Sequence, residues 1–214
     1  DAKTIKVLNP KEVVFEGGRE LELDAVSEVP RYYVCNAYGV CGIYSAPGTA
    51  VKEAYDTSGI VTNDRGVTVW LKGNRVSRNQ IMAIKEESVT EQKNSLAVCL
   101  DNILRHAGIT RNTEYDLAQG KTATTILSEN MTGVQVLDLS GCTLDAVLYY
   151  VNQDIPVLAI LEDGEAVLVT GFNEFNVVIM EPATGKLYKK GMNDATAWFA
   201  ENGNHFITYM RIEN

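Results

Sequence analysis

Histidine is the scarcest chemistry-bearing residue here, with two copies among 214 residues, His106 and His205. Four cysteines accompany them, too few and too irregularly spaced for a His/Cys zinc cluster or for a disulfide scaffold of this length. No metal and no cofactor are expected. No apolar run approaches the roughly 20 residues that cross a bilayer, so no membrane span is expected in this chain. Basic residues are in the minority, 19 Lys and Arg against 28 Asp and Glu. The resulting formal net charge of −9 argues against nucleic acid as a partner, because a phosphate backbone requires a basic stripe. No basic, apolar, small-residue cleavage pattern opens the chain. A start at Asp1 rather than Met is expected of a processed or trimmed product.

What is present is the composition of an ordinary globular protein, 45% hydrophobic and 22% charged, long enough for one generous core or two small ones. The first part reads as β-rich. Strands are expected over 4–8, 12–15 and 20–23, the last with clean alternation, and Gly17-Gly18 makes the turn before it. A hairpin follows over 32–44. Pro47 then opens a helix through Tyr55, with Ser45 or Ala46 at its cap. Strands over 59–62 and 67–70 flank a turn at 63–66. The polar stretch 72–78, with Lys72, Arg75 and Arg78, reads as solvated loop, with anion binding the sharper alternative.

A boundary is expected near the polar run at 85–91, dividing a module over 1–88 from a domain over 89–214. Beyond it, apolar Leu96, Ala97, Leu100, Ile103, Leu104 and Ala107 recur at helical spacing before Gly108. Short helices are expected at 114–119 and 124–130, a strand at 134–139, and a helix capped by Thr143 and reaching Val151. Strands at 156–161, 165–171, 176–180 and 186–189, a helix at 193–201 and a strand at 205–210 complete an α+β order, a helix cluster followed by an antiparallel sheet.

Two residue pairings bear on chemistry. A three-residue loop with Gly39 in the left-handed position places Cys35 directly opposite Cys41. They form either a cross-strand disulfide or two small apolar members of a sheet. Cys99 and Cys142 sit among apolar neighbours and read as buried thiols. Cys99 shares a helical stripe with Asn102 and His106, but the imidazole is two turns away and is not expected to reach the sulfur. Cys142 precedes a helix start that would lower its pKa if it were exposed. His205 reads as a polar strand end.

Several stretches, in order, carry a resemblance. They are Asn94-Ser95-Leu96-Ala97-Val98-Cys99-Leu100, then Ile155-Pro156-Val157-Leu158-Ala159, then Gly164-Glu165-Ala166-Val167 and its continuation to Gly171, and finally Met180-Glu181-Pro182-Ala183-Thr184-Gly185. Over about residues 90 to 211 this order is similar to the papain-like cysteine peptidases that trim bacteriocin leader peptides, and to their secreted bacterial relatives. Residues 32–84 look like a module that precedes degenerate members of that group in Gram-positive bacteria. The resemblance implies a papain-like domain and an exported or surface location.

It also assigns positions. The nucleophilic cysteine of the family matches Ser95, its histidine matches Glu165, and the group orienting that histidine matches Glu181. The oxyanion-hole glutamine would fall at Val89, and Gln92 is three residues too close. Asn94, Gln92 and Gly164 are the expected cleft residues. A carboxylate with an ordinary pKa near 4 is a poor base for a serine hydroxyl. The leading expectation is therefore a pseudopeptidase that binds an extended peptide or a surface protein without cutting it. A hydrolase with rearranged groups and a purely structural surface element are the alternatives. Oligomeric state stays open.

Overall fold

The structure is a computed structural model that describes residues 5–9, 12–15, 19–21, 29–39, 41–73 and 94–212. The expected boundary at 88/89, Gln92, Val89 and most of the 72–78 stretch lie outside those residues. Compactness divides the chain into Asp1–Pro30 and Arg31–Asn214. The first unit is a three-stranded antiparallel sheet of β1 (Ile5–Asn9), β2 (Glu12–Phe15) and β3 (Arg19–Leu21), in the order β1-β2-β3.

The second unit begins with β4 (Tyr32–Cys35) and β5 (Cys41–Tyr44), joined by a loop in which Gly39 has φ +76°. Only glycine takes that backbone conformation without cost. Helix α1 (Pro47–Thr57), β6 (Ile60–Asn63) and β7 (Thr68–Leu71) follow. Pro47 opens α1 where a missing N–H costs nothing, and Ala46 supplies no side-chain cap. The four strands form an antiparallel sheet in the order β5-β4-β6-β7.

Then come α2 (Ser95–His106), α3 (Glu114–Ala118), α4 (Ala123–Asn130), β8 (Val134–Asp138), α5 (Leu144–Val151), β9 (Val157–Ile160), β10 (Ala166–Phe172), β11 (Asn176–Met180), β12 (Leu187–Gly191), α6 (Met192–Glu201) and β13 (His205–Arg211). Helix starts are chemically marked. Thr122 and Thr143 accept backbone N–H bonds from Thr125 and Ala146, and Asn94 accepts two. Arg105 and His106 close the last turn of α2, where positive charge suits the dipole. The fold is α+β.

The six-stranded antiparallel sheet runs β12-β11-β10-β9-β13-β8. All seven residues of β10 are buried, and both α2 and α5 pack on this strand. Leu100, Ile103 and Leu104 of α2 are fully buried, each contributing on the order of 1.5–3 kcal/mol to holding the helix there. The four-stranded sheet shares this core. Trp70 Nε1 donates to Ala146 O at 3.0 Å, and Tyr150 Oη donates to Val69 O at 3.0 Å. Asn63 Nδ2 donates to Gln135 Oε1 at 3.1 Å, and Gln135 Nε2 donates to Tyr32 Oη at 3.0 Å. Gly48 lies so close to the end of β8 that a Cβ there would sit 3.2 Å from Asp138 O and 3.0 Å from Ser140 O just beyond it. Residues 31–71 are thus bonded into the same body as 95–212.

Candidate functional site

The site is the junction between the start of α2 and the start of β10. Asn94 ends the incoming chain by accepting hydrogen bonds from the backbone N–H groups of Leu96 at 2.9 Å and Ala97 at 3.2 Å. Its carbonyl oxygen is therefore committed to capping, and Ser95 becomes the first helical residue. On the facing strand, a tight turn delivers the backbone. Gly164 adopts φ +84°, its N–H bonds to Leu161 O at 3.0 Å, and Glu165 N bonds to Asp163 Oδ1 at 3.0 Å. Leu161 N returns a bond to Glu165 O at 2.7 Å. The outcome is a direct link in which Ser95 Oγ accepts a hydrogen bond from Ala166 N at 3.0 Å.

Ser95 and the Glu165–Ala166 segment therefore meet across 71 residues of sequence. Glu165 is exposed, as are Glu162 and Asp163 in the same turn, which makes this mouth acidic. The charge of Glu165 reaches into α2. Burial pushes the Cys99 thiol far above its ordinary pKa, and the Glu165 carboxylate pushes it in the same direction. Glu181 lies in a turn closed by its own hydrogen bonds. Its Oε2 accepts from Thr184 Oγ1 at 2.7 Å, and Gly185 N bonds to its backbone oxygen at 2.8 Å.

Neither histidine serves a cysteine. His106 Nε2 bonds to the backbone oxygen of Asp154 at 2.8 Å, and exposed His205 begins β13 opposite Ile160. Among the described residues no histidine is hydrogen-bonded to a cysteine. Cys142 is buried and its Sγ donates to Gly48 O at 3.3 Å. Burial pushes its pKa up to about 12, against a smaller opposing effect of Lys52. Both thiols are unsuited to nucleophilic work, which needs an accessible thiolate. Cys35 and Cys41 face each other in register, both exposed, and are joined in a disulfide. Among the described residues no three His, Cys, Asp or Glu side chains are grouped to hold a metal.

No protein-family model matches the chain, and no curated protein matches it. A solved structure does match, a protein from Bacillus anthracis provisionally described as a C39-like peptidase. The two superpose with a TM-score of 0.52 at 13% identity, over 62% of this chain and 96% of that one. The chain has a papain-like peptidase fold. The sequence resemblance pointed to the starts of α2 and β10, and there Ser95 Oγ meets the N–H of Ala166, the residue after Glu165. The backbone donor of Ala166 was not legible as a site group, since a main-chain N–H leaves no signature in side-chain identity. Asn94 carried a capping signal, an Asn before an apolar helical repeat, and capping is the role it fills.

Proposed function

We propose that this peptidase-related domain holds an extended peptide in its α2–β10 cleft without cleaving it, as part of an exported or surface-exposed protein. The observation that carries this reading is the state of Ser95. Its oxygen is engaged as an acceptor of a backbone N–H, and the residue beside that donor is a glutamate. A peptidase of this fold works through a thiolate held by an imidazolium, which returns the proton to the leaving amine. By the resemblance those two places hold a serine hydroxyl, already accepting a backbone N–H, and an exposed glutamate, so neither thiolate nor imidazolium is supplied. Binding needs neither, because an extended peptide is held largely through main-chain hydrogen bonds. The acidic mouth at Glu162, Asp163 and Glu165 favours peptides carrying Lys or Arg. An exposed disulfide at Cys35–Cys41 supports an oxidising, extracytoplasmic setting.

The test is a peptide library incubated with the full chain and read by mass spectrometry and by fluorescence anisotropy. Saturable binding of basic peptides with no product is the expected result. Any cleavage product that disappears in Ser95→Ala overturns the reading, and so does the absence of saturable binding by every library member.

A further inference from the structure

At the far end of α2 from Ser95 lies a cavity of about 570 Å3. The 12 residues of α2 put it about 16 Å along the helix from that serine, and it shares no residue with the α2–β10 junction. Its lining comes from the end of α2 and the loop after it, from the link between α4 and β8, and from the end of β13. Ile109, Met131 and Val134 supply an apolar wall, and Tyr209, Arg211 and Thr132 supply polar groups. Tyr209 and Arg211 are two residues apart on β13, so their side chains leave the same face of the sheet. Pairing with Val136 and Val134 of β8 fixes their positions. Tyr209 is the informative member. It is 2% exposed, yet among the described residues its hydroxyl has no hydrogen-bond partner. A buried tyrosine hydroxyl ordinarily finds one, as Tyr150 does at Val69 O. Burial raises the Tyr209 pKa, which keeps the phenol a donor, and the nearby Arg211 guanidinium opposes that rise. Arg211 is exposed and makes no ion pair among the described residues. His106 is fixed by donating from Nε2 to Asp154 O at 2.8 Å, and Arg105 in the last turn offsets the negative end of the α2 dipole.

Charge is the first selector among ligand classes. Among the described residues the lining holds a guanidinium and no Asp or Glu, in a chain whose formal net charge is −9. A cation would be repelled by Arg211. A wholly apolar ligand would cover the guanidinium and the Tyr209 hydroxyl and return no hydrogen bond to either. A carboxylate accepts from both, because the planar guanidinium fork matches its two oxygens and the phenol donates a further bond. Inorganic phosphate would leave the wall of Ile109, Met131 and Val134 without a partner. An extended peptide meets a different obstacle. Ile212 N already donates to Gly133 O at 2.9 Å, so the main chain at this rim is spent on itself. Size agrees with a compact ligand, since small-molecule pockets usually measure about 300–1,000 Å3. We propose that this cavity binds a small carboxylic acid with an apolar body, its carboxylate held by Arg211 and Tyr209 and its body packed on Ile109, Met131 and Val134.

The test titrates the full chain with phenylbutyrate and with octanoate while following the backbone amide resonances of Gly133 and Arg211 by NMR. Phenylbutanol, phenylbutylamine and N-acetyl-leucyl-phenylalanine serve as the neutral, cationic and peptide comparators. At least one of the two acids is expected to shift both resonances saturably, with a Kd on the order of 1 mM. The alcohol is expected to bind about tenfold more weakly, and the amine not at all. Arg211→Gln is expected to weaken acid binding about tenfold. Tyr209→Phe removes only the hydroxyl and is expected to weaken it about threefold, with the thermal midpoint near wild type. The proposal is overturned if neither acid moves these resonances, if the alcohol binds as tightly as the acids, if only the peptide binds, or if both variants bind as wild type does. Because the cavity lies at the other end of α2 from Ser95, the result is independent of whether peptides bind in that cleft.

Discussion

Ser95 Oγ accepts the backbone N–H of Ala166 at 3.0 Å, so the first residue of α2 is latched to the first residue of β10. The donor belongs to a residue that is fully buried, where a lost partner is not replaced by water at no cost.

Ser95→Ala is accordingly expected to destabilise the domain by about 1–3 kcal/mol, the cost of an unsatisfied buried donor. Glu165→Gln, at an exposed position, is expected to stay within about 0.5 kcal/mol of wild type. Urea unfolding of the two variants checks this, and equal midpoints would show that the latch contributes nothing.

The proposed correspondence of Ser95 and Glu165 to a cysteine–histidine pair has a direct chemical test. In the double variant Ser95→Cys/Glu165→His, the introduced thiol is expected to titrate well below the ordinary value of about 8.5, because an imidazolium stabilises the thiolate. Ser95→Cys alone keeps Glu165, whose charge acts the other way. The pH dependence of iodoacetamide alkylation reads the difference. Buried Cys99 and Cys142 give no background, since burial raises the pKa of both. Identical titration curves for the two variants would rule out the correspondence.

The disulfide between Cys35 and Cys41 closes a short loop, with a sequence separation of 6. Chain-entropy reasoning gives such a loop about 2 kcal/mol of stabilisation. Reduction is expected to lower the thermal midpoint by a few degrees while leaving a cooperative transition. Native-state thiol counting should then find two newly accessible thiols. Four accessible thiols would mean that the core opens when the bridge breaks.

Asp116 gives the domain an acid-sensitive point. Lys121, and after it Arg111, hold its carboxyl below the usual carboxylate range, with ion-pair distances of 3.2 Å and 3.3 Å. A depressed native pKa means that this stabilisation is complete above the unfolded value near 3.9 and is lost as pH falls through the native one. Wild type should therefore lose stability more steeply than Asp116→Asn below about pH 4. Parallel stability–pH curves from denaturant titrations would refute the coupling.

Much of this molecule was legible wherever neighbours in sequence are neighbours in space. The apolar repeat from Leu96 to Leu104 marks α2, Thr143 marks the start of α5, and Gly39 sets the register that opposes Cys35 to Cys41. Each of these depends on interactions spanning a few residues. The candidate site was legible only as residue types at spaced positions. That Ala166 N completes the Ser95 contact was not, because a backbone donor is present at nearly every residue. Nor did anything local indicate that Ile109, Met131 and Tyr209, drawn from three stretches of chain, would line one cavity.

By itself, then, the sequence determined the local elements, their caps and turns, and the presence of a hydroxyl at position 95 and a carboxylate at position 165. Only the tertiary structure decided that β13 would insert between β8 and β9, and that residues 31–71 would pack into the same core as 95–212. It alone joined Ser95 to Ala166. Helix period and turn chemistry are encoded residue by residue, whereas strand order and long-range contact depend on which arrangement buries the whole apolar surface at once.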